Sequence, residues 1–197
     1  VIMAHGMQEM MVEQRDVFYY ITLMNANYAQ PDLPEGVQDQ VIRGCYEFGR
    51  YGPVIKTRST QRREVTLMGS GAILTEVIAA AELLAAQGVS STVISVTSWS
   101  ELARDGQAGE RAALQEGRLG EKAFVAEQLA ATQGPIIAAT DYVKAVPESV
   151  RAYLPEGRRY LTLGTDGFGR SDTRAQLREH FGVDAASIAR TAMLALG

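Results

Sequence analysis

Short, mainly apolar runs that alternate with helical segments are the feature that most constrains the fold. Four such runs lie at residues 65–68, 92–97, 136–139 and 160–163. Mainly apolar strands are typical of sheets that are covered on both faces. Strands that alternate with helices form parallel sheets, because each helix carries the chain back to the start of the next strand. We therefore predict a three-layer α/β/α fold with one mostly parallel sheet, which leaves room for an antiparallel edge strand.

Helices are predicted between and after these strands from their length, composition and end signals. Asp172 is a candidate N-cap for a helix that runs to Phe181 and carries Arg174 and Arg178 on one face. The predicted helices span residues 72–87, 100–104, 109–116, 121–132, 143–153, 172–181 and 185–196.

The N-terminal residues follow a different pattern. Residues 3–13 are apolar at helical spacing, and residues 17–24 are aromatic and β-branched, which favours a strand. The methionines of the first segment are expected to pack in a core. They are Met3, Met7, Met10 and Met11. Because the sequence starts inside an apolar helical pattern and stops without a tail, we expect it to be a piece of a longer chain.

A linker follows at residues 25–36, where two prolines and a glycine interrupt any regular pattern. We place a domain boundary near Leu33, so that residues 1–32 belong to a preceding domain and its linker, and residues 33–197 form a second domain. A short helix is predicted at 37–48, and an irregular basic stretch at 49–63.

The composition excludes several classes of function. A net charge of -4, from 19 basic and 23 acidic residues, lacks the basic surface that nucleic-acid binding needs. No apolar stretch is long enough for a membrane span, and no signal peptide is recognisable. Cys45 is the only cysteine, which fits a reducing, cytoplasmic location. His5 and His180 lie too far apart in the sequence to suggest a metal site, and the pairs Arg62-Arg63 and Arg158-Arg159 are expected to be solvated.

The turn Gly69-Ser70-Gly71 is a weak candidate for an anion site. It lies between a predicted strand and a predicted helix, where backbone N–H groups can bind an anion. However, Leu74 replaces the third glycine of the dinucleotide-binding motif, and the next strand ends in Ser98-Trp99 without an acidic residue. A purely structural tight turn is the favoured interpretation.

The segment from Gly164 to Asp172 is the most unusual stretch of the sequence. It follows a predicted parallel strand, at the edge where α/β folds place their sites. One hypothesis is a contact loop for a substrate, a partner subunit or a neighbouring domain, in which Arg170 forms charge-assisted hydrogen bonds to a carboxylate or a backbone carbonyl, within this chain or across an interface. The alternative is an internally bonded loop whose Asp172 only caps the next helix. The candidate contact residues are Asp166, Phe168, Gly169, Arg170, Ser171 and Asp172.

Several stretches together resemble one known family. They are YYITLMNANYAQPDLPEG, LMGSGAIL, SVTSWSELARDGQ, ATDYVKAVPESVRAYLP and LGTDGFGRSDTRAQLREHFGVDA. Their order and spacing resemble the C-terminal part of the homodimeric-type pyruvate dehydrogenase family, the acetyl-transferring decarboxylating subunit of the transketolase-like superfamily. The resemblance covers nearly the whole chain and weakens only at residues 108–119.

The resemblance implies a larger enzyme that uses thiamine diphosphate and magnesium to decarboxylate pyruvate and to acetylate the lipoyl group of an acyltransferase core. In this family the cofactor lies between the first two domains of a homodimer. Residues 1–32 would be the tail of the pyrimidine-binding domain, and residues 33–197 the transketolase C-terminal-like domain. The family's cofactor ligands lie upstream, so no catalytic, cofactor or metal residue is assigned to this chain, and no cofactor is expected to bind it alone.

Two other functions stay open. One is an independent regulatory or small-anion-binding α/β domain that uses Gly69, Ser70 and Gly71. The other is a related ketolase or 2-oxo-acid enzyme, which differs mainly in its substrate. The substrate pocket that would distinguish these enzymes lies outside this sequence.

Overall fold

The computed structural model describes residues 1–29, 31–53, 63–118 and 122–197. Its strands are β1 (Cys45–Tyr51), β2 (Glu64–Ser70), β3 (Ser90–Val96), β4 (Ile136–Ala139) and β5 (Tyr160–Leu163). Its helices are α1 (Ile2–Met7), α2 (Gln38–Arg43), α3 (Ile73–Ala86), α4 (Trp99–Gln115), α5 (Phe124–Leu129), α6 (Ala145–Glu148), α7 (Arg174–Phe181) and α8 (Ala185–Leu196). A π-helical turn at Gln8–Val12 and a 3-10 turn at Arg151–Tyr153 complete the elements.

All five strands belong to one sheet, in the order β1-β3-β2-β4-β5. β2 pairs in parallel with β3 and β4, and β4 pairs in parallel with β5. β1 is an antiparallel edge strand beside β3. The prediction that the four apolar runs are neighbours in one mostly parallel sheet is therefore confirmed.

The sheet is buried on both faces because successive side chains of each strand point in opposite directions. In the central strand β2, Leu67 packs with α3 and α8, whereas Met68 packs with α4 and α5. In β4, Ile137 lies in the same core as Leu67, and Ile136 lies in the same core as Met68. All four side chains are 0% exposed. This arrangement confirms the predicted three-layer α/β/α fold.

The helix predicted at residues 37–48 is wrong in its second half. α2 ends at Arg43, because Gly44 adopts a left-handed conformation with φ of 109° that stops the helix. A Cβ atom at position 44 would lie 2.8 Å from the carbonyl oxygen of Ser98. The chain then forms β1, which includes the first three residues of the stretch that was predicted to be irregular. Residues 54–62 of that stretch, with Arg62, lie outside the described residues.

The strand predicted at residues 17–24 is also wrong. The structure has no regular element there, and Phe18 and Tyr20 are 88% and 87% exposed. A β-branched and aromatic run needs partner strands before it can form a sheet. The core packing predicted for the methionines is wrong as well, since Met3 and Met11 are 66% and 73% exposed. Residues 1–24 therefore carry a largely uncovered apolar surface.

Three helix predictions need correction. One continuous helix, α4, replaces the two predicted around Gly106, because this glycine lets the Tyr153 ring approach and does not break the helix. The helix predicted at 143–153 is reduced to α6 and a 3-10 turn, since Pro147 lacks a backbone N–H. Thr173, not Asp172, is the N-cap of α7 and accepts a hydrogen bond from the Gln176 backbone N–H.

The helix predicted at 121–132 is shorter in the structure. Only α5 is helical in the described part of this range, and residue 121 lies outside the described residues.

Arg158 is a structural side chain, which corrects the prediction that it is solvated. Its guanidinium donates to the Gly134 carbonyl at 2.7 Å, the Thr132 hydroxyl at 2.7 Å, the Thr66 hydroxyl at 2.8 Å and the Gln133 carbonyl at 2.9 Å. Burial lowers the pKa of Arg158, because desolvation penalises the charged form. Arg158 therefore fastens the loop before β4 to the strand β2.

We predict that Arg158→Met lowers the free energy of unfolding by about 2–3 kcal/mol, because the hydroxyl groups of the buried residues Thr66 and Thr132 and two loop carbonyl groups lose a charged donor. The adjacent Arg159 is the control. It is exposed and makes a single 3.4 Å contact with the Ala195 carbonyl, so Arg159→Met should change stability by less than about 0.5 kcal/mol. Urea denaturation of both variants is the measurement, and equal stabilities would contradict the role assigned to Arg158.

Candidate interface at the carboxyl edge of the sheet

The carboxyl ends of the parallel strands meet at one edge, which we call the carboxyl edge. β2 ends at Ser70, and Thr140 follows β4 directly. Their buried hydroxyl groups lie 2.8 Å apart in a hydrogen bond. The Thr140 hydroxyl also accepts a hydrogen bond from the Tyr142 backbone N–H at 3.2 Å. The loop after β4 is thus fixed to the end of the central strand.

The loop after β5 is bonded to the loop after β4. The Thr165 N–H donates to the Tyr142 carbonyl at 2.9 Å, and the Thr165 hydroxyl donates to the Asp141 carbonyl at 2.7 Å. Gly164 allows this close approach, since a Cβ atom there would lie 2.6 Å from the Tyr142 oxygen. The two loops therefore form one rigid unit at the carboxyl edge.

All the candidate contact residues are exposed, and two of them, Asp166 and Asp172, are hydrogen-bonded within the chain. The Asp166 carboxylate accepts a hydrogen bond from the Lys144 N–H at 3.0 Å and lies 3.6 Å from the Lys144 ammonium group. The Asp172 carboxylate accepts a hydrogen bond from the Thr173 N–H at 2.7 Å. In the described part of the chain, no hydrogen bond or ion pair joins Asp166, Arg170 and Asp172 to one another. Within the described residues these three side chains are therefore not bonded to one another, and their role in a polar cluster between domains or subunits stays a prediction.

The tip of this loop projects into solvent. Phe168 is 96% exposed and follows Gly167, which has a φ of 93°. Gly169, Arg170 and Ser171 are exposed as well, and the structure as described gives Arg170 no hydrogen-bond or ion-pair partner within the chain. A fully exposed aromatic ring beside an unpaired guanidinium is typical of the residues that anchor protein interfaces.

The turn Gly69-Ser70-Gly71 has clear structural roles. A Cβ atom at Gly69 would lie 2.8 Å from Cγ2 of Val77, so the glycine permits close packing of β2 against α3. The Ser70 hydroxyl is used by Thr140, and an Asp141 carboxylate oxygen lies 3.8 Å from the Cβ position of Gly71. A nearby carboxylate repels anions. The anion site stays a prediction, and these contacts argue against it.

A set of side chains that was not predicted from the sequence fastens the linker to the carboxyl edge. Tyr28 accepts a hydrogen bond from Arg178 at 3.0 Å, and Arg178 donates to Glu76 at 2.7 Å. Arg174 donates to Asn25 at 3.2 Å. The spacing of Arg174 and Arg178 on one face of α7 was a signal for this role, but their partners are distant in sequence.

The N-terminal segment has its own polar cluster. Glu9 is buried and accepts hydrogen bonds from Arg15 and Tyr19. The bond from Tyr19 holds the pKa of Glu9 below its usual value, and the same bond raises the pKa of Tyr19 to about 12. The cluster stabilises the fold of residues 1–19, and Ile2 packs this segment against Val37, Val41 and Tyr46.

The described residues include no metal-binding cluster and no activated thiol. They contain no group of three or more His, Cys, Asp or Glu side chains that could hold a metal ion. Burial raises the pKa of the Cys45 thiol to about 12, so this thiol is not an activated nucleophile. No helix in the described ranges is long and apolar enough to span a membrane.

An open groove lies between α4 and α6, on the face of the sheet that α4 and α5 cover. Arg104 is its only charged residue in the described part of the chain, and Glu101 of the same helix binds it. The groove therefore holds no acid–base pair. It is lined by Trp99, Ser100, Ala103, Arg104, Gln107, Val146 and Ser149.

Comparison with known proteins identifies relatives in both sequence and fold. Residues 49–184 match the family described as the transketolase-like TK C-terminal domain. Over 100% of its length the chain is 44% identical to the pyruvate dehydrogenase E1 component of Cupriavidus necator, and over 98% it is 43% identical to that of Escherichia coli strain K12. The chain spans only 21% of the length of each of these relatives.

The fold has relatives among solved structures. The transketolase from Leishmania mexicana matches 82% of this chain with a TM-score of 0.50 and 17% sequence identity, over 19% of its own length. At this identity the likeness supports the fold alone.

We predict that Ser70→Ala lowers the free energy of unfolding by about 1–2 kcal/mol, because it removes a buried hydrogen bond at the carboxyl edge. In a Thr140→Val background the same substitution should cost about 1 kcal/mol less, since the partner is already missing. Urea denaturation of the four proteins measures this coupling. Ser171→Ala, at an exposed position, is the control. A cost of Ser70→Ala that is equal in both backgrounds would contradict the prediction.

Proposed function

The chain belongs to the transketolase-like C-terminal domain family, and on that premise we propose that it is the C-terminal part of the decarboxylating subunit of a pyruvate dehydrogenase. The observation that carries this proposal is the 44% identity over the whole chain to a pyruvate dehydrogenase E1 component. Residues 33–197 would form the C-terminal domain, and residues 1–32 the tail and linker of the domain before it.

The whole enzyme would decarboxylate pyruvate with thiamine diphosphate and magnesium, and would transfer an acetyl group to the lipoyl group of an acyltransferase core. Thiamine diphosphate supplies the carbanion chemistry when it is bound. Magnesium needs several converging oxygen ligands, and the described residues offer no such group. We therefore assign this chain a role in scaffolding and subunit contacts, within a cytoplasmic homodimer, and no part in binding the cofactor.

The uncovered apolar surface of the N-terminal segment supports this role. Phe18, Tyr20, Leu23 and Met11 are each at least 73% exposed. Soluble proteins rarely leave so many large apolar side chains together in water. Further parts of the same protein, or its second subunit, would cover this surface.

The loop tip at Phe168 is the second contact surface that we propose. Hydrogen bonds at Thr165 and Asp166 join the start of this loop to the loop after β4, and beyond them Phe168 and Arg170 are exposed. We propose that these two residues contact another domain or the second subunit, where Arg170 finds a carboxylate or a carbonyl group.

The alternative is an independent domain that binds a small anion at Gly69, Ser70 and Gly71. The bond between Ser70 and Thr140 and the nearby Asp141 carboxylate disfavour it. Calorimetric titration of the isolated chain with inorganic phosphate and with a nucleotide tests this alternative. Saturable binding that is lost on Gly71→Asp would favour it over our proposal.

We predict that the isolated chain neither binds thiamine diphosphate nor releases carbon dioxide from pyruvate, whereas the whole enzyme does both. The reason is that the residues the structure describes include no group of acidic side chains that could hold the magnesium ion that anchors the diphosphate. Calorimetric titration with thiamine diphosphate and magnesium, with a carbon dioxide assay in parallel, is the measurement. Micromolar binding to the isolated chain would contradict this assignment, and a whole enzyme without pyruvate decarboxylation would overturn the proposed function.

In the whole enzyme we predict that Arg170→Ala and Phe168→Ala each weaken subunit or domain association. Arg170→Ala should cost about 1–3 kcal/mol, typical of a hydrogen bond to a charged group. The control is Arg104→Ala, because Arg104 is exposed and bonded to Glu101 of its own helix. Analytical ultracentrifugation and thermal melting are the measurements. Unchanged dissociation and melting in both variants would show that the loop makes no contact.

A further inference from the structure

The N-terminal segment, residues 1–28, runs along the carboxyl edge of the sheet. Ile2 packs against Tyr46, which lies at the start of β1. Because β1 is antiparallel, its start pairs with the end of β3 and lies at the carboxyl edge. On the other side of the sheet, Thr22 accepts a hydrogen bond from the Tyr142 hydroxyl, in the loop after β4, at 3.0 Å. The segment therefore spans the strand ends from β1 to β4.

Contacts with the helices after β3 and β5 follow the same course. The hydrogen bond to Glu9 is the largest cause of the raised pKa of Tyr19, and the charge of Glu101, in the first turn of α4, adds to it. Tyr19 therefore lies near the start of α4, which follows β3. Arg178 of α7, the helix after β5, donates to the Tyr28 hydroxyl at 3.0 Å. The contacts of the segment thus occur in the order of the strands in the sheet.

The outward side of this segment is apolar and continues onto the loops of the carboxyl edge. Leu23 is 83% exposed and comes directly after the residue that Tyr142 binds. Tyr142 and Val143 are themselves about half exposed, and the Thr165 N–H, three residues before Phe168, donates to the Tyr142 carbonyl at 2.9 Å. The other exposed apolar side chains of the segment include Met3, Met7, Met11, Val12, Phe18 and Tyr20. The two proposed contact surfaces, the N-terminal segment and the loop tip at Phe168, are therefore adjacent parts of one surface.

We propose that this surface is the docking site of the preceding domain of the same subunit. The inference rests on the part of the proposed function that makes residues 1–32 the tail and linker of that domain. The chain spans only 21% of the length of its relatives, so most of such a protein lies outside these residues. One folded domain there is large enough to cover the whole surface.

The course of the N-terminal segment selects this domain over the second subunit. The segment is packed along the carboxyl edge at both of its ends, through Ile2 and through Tyr28. The chain that leads into it therefore reaches the α/β domain at this edge. A domain joined to that chain is held beside the edge at a high effective concentration, and a second subunit is under no such constraint. Its matching surface is apolar, with a carboxylate or a carbonyl group for Arg170.

Photo-cross-linking in the full-length subunit tests this proposal. The photoreactive amino acid benzoylphenylalanine replaces Leu23, Val143 or Phe168, one position at a time. Irradiation should join each of the three positions to a peptide that precedes Val1 in the same polypeptide, because one domain covers them all. The product should keep the mass of a single subunit on a denaturing gel, and mass spectrometry identifies the peptide.

Leu114 is the matched control position. It is 72% exposed, but it lies in the last turn of α4, at the far end of this helix from the carboxyl edge, and should give no such product. A product with the mass of two subunits, or no product at Val143 or at Phe168, would overturn the proposal. So would an equal yield at Leu114. Release of carbon dioxide from pyruvate is assayed in the same protein: without it the proposed function fails, whereas the cross-links still decide the docking site.

Discussion

Burial of the sheet on both faces is the constraint on which the rest of the structure depends. β2 lies at the centre, with parallel neighbours on both sides, and its residues Leu67 and Met68 begin the two cores. Each core needs a helical layer, and each crossover helix returns the chain to the same starting edge. The loops that follow the strands therefore gather at the carboxyl edge. The candidate interface lies there because of this topology.

Hydrogen bonds between its loops hold the carboxyl edge together. Hydroxyl groups and carbonyl groups join the loops after β2, β4 and β5, and Gly164 lets two of the loops approach closely. The aromatic ring of Phe168 and the guanidinium group of Arg170 take no part in these bonds and are exposed. In a small-molecule site the polar groups converge on a cavity. Here they bond the loops to one another, which supports the proposal that the exposed groups contact another domain or subunit.

Local sequence signals were reliable where the local and the tertiary preferences agreed. β4 and β5 have the predicted bounds, since their apolar runs fit strands that are buried on both faces. The predictions failed where a contact with a residue that is distant in the sequence determines the local structure. In the sequence, Gly106 indicates a break in a helix, but in the structure the helix continues and the glycine makes room for the Tyr153 ring. The run at residues 17–24 reads as a strand, yet nothing in the described chain pairs with it.

The sequence by itself determined the class of fold, the four parallel strands β2 to β5, and the stretches that resemble a known family, because periodicity and glycine turns act over a few residues. Only the tertiary structure decided which polar side chains meet. Tyr28 and Arg178 are 150 positions apart, and Thr66 and Arg158 are 92 positions apart. An arginine that is solvated and one that is fastened to a loop look alike in a sequence. The difference arises from the packing of elements that are distant along the chain, since hydrogen bonds and burial depend on position in space.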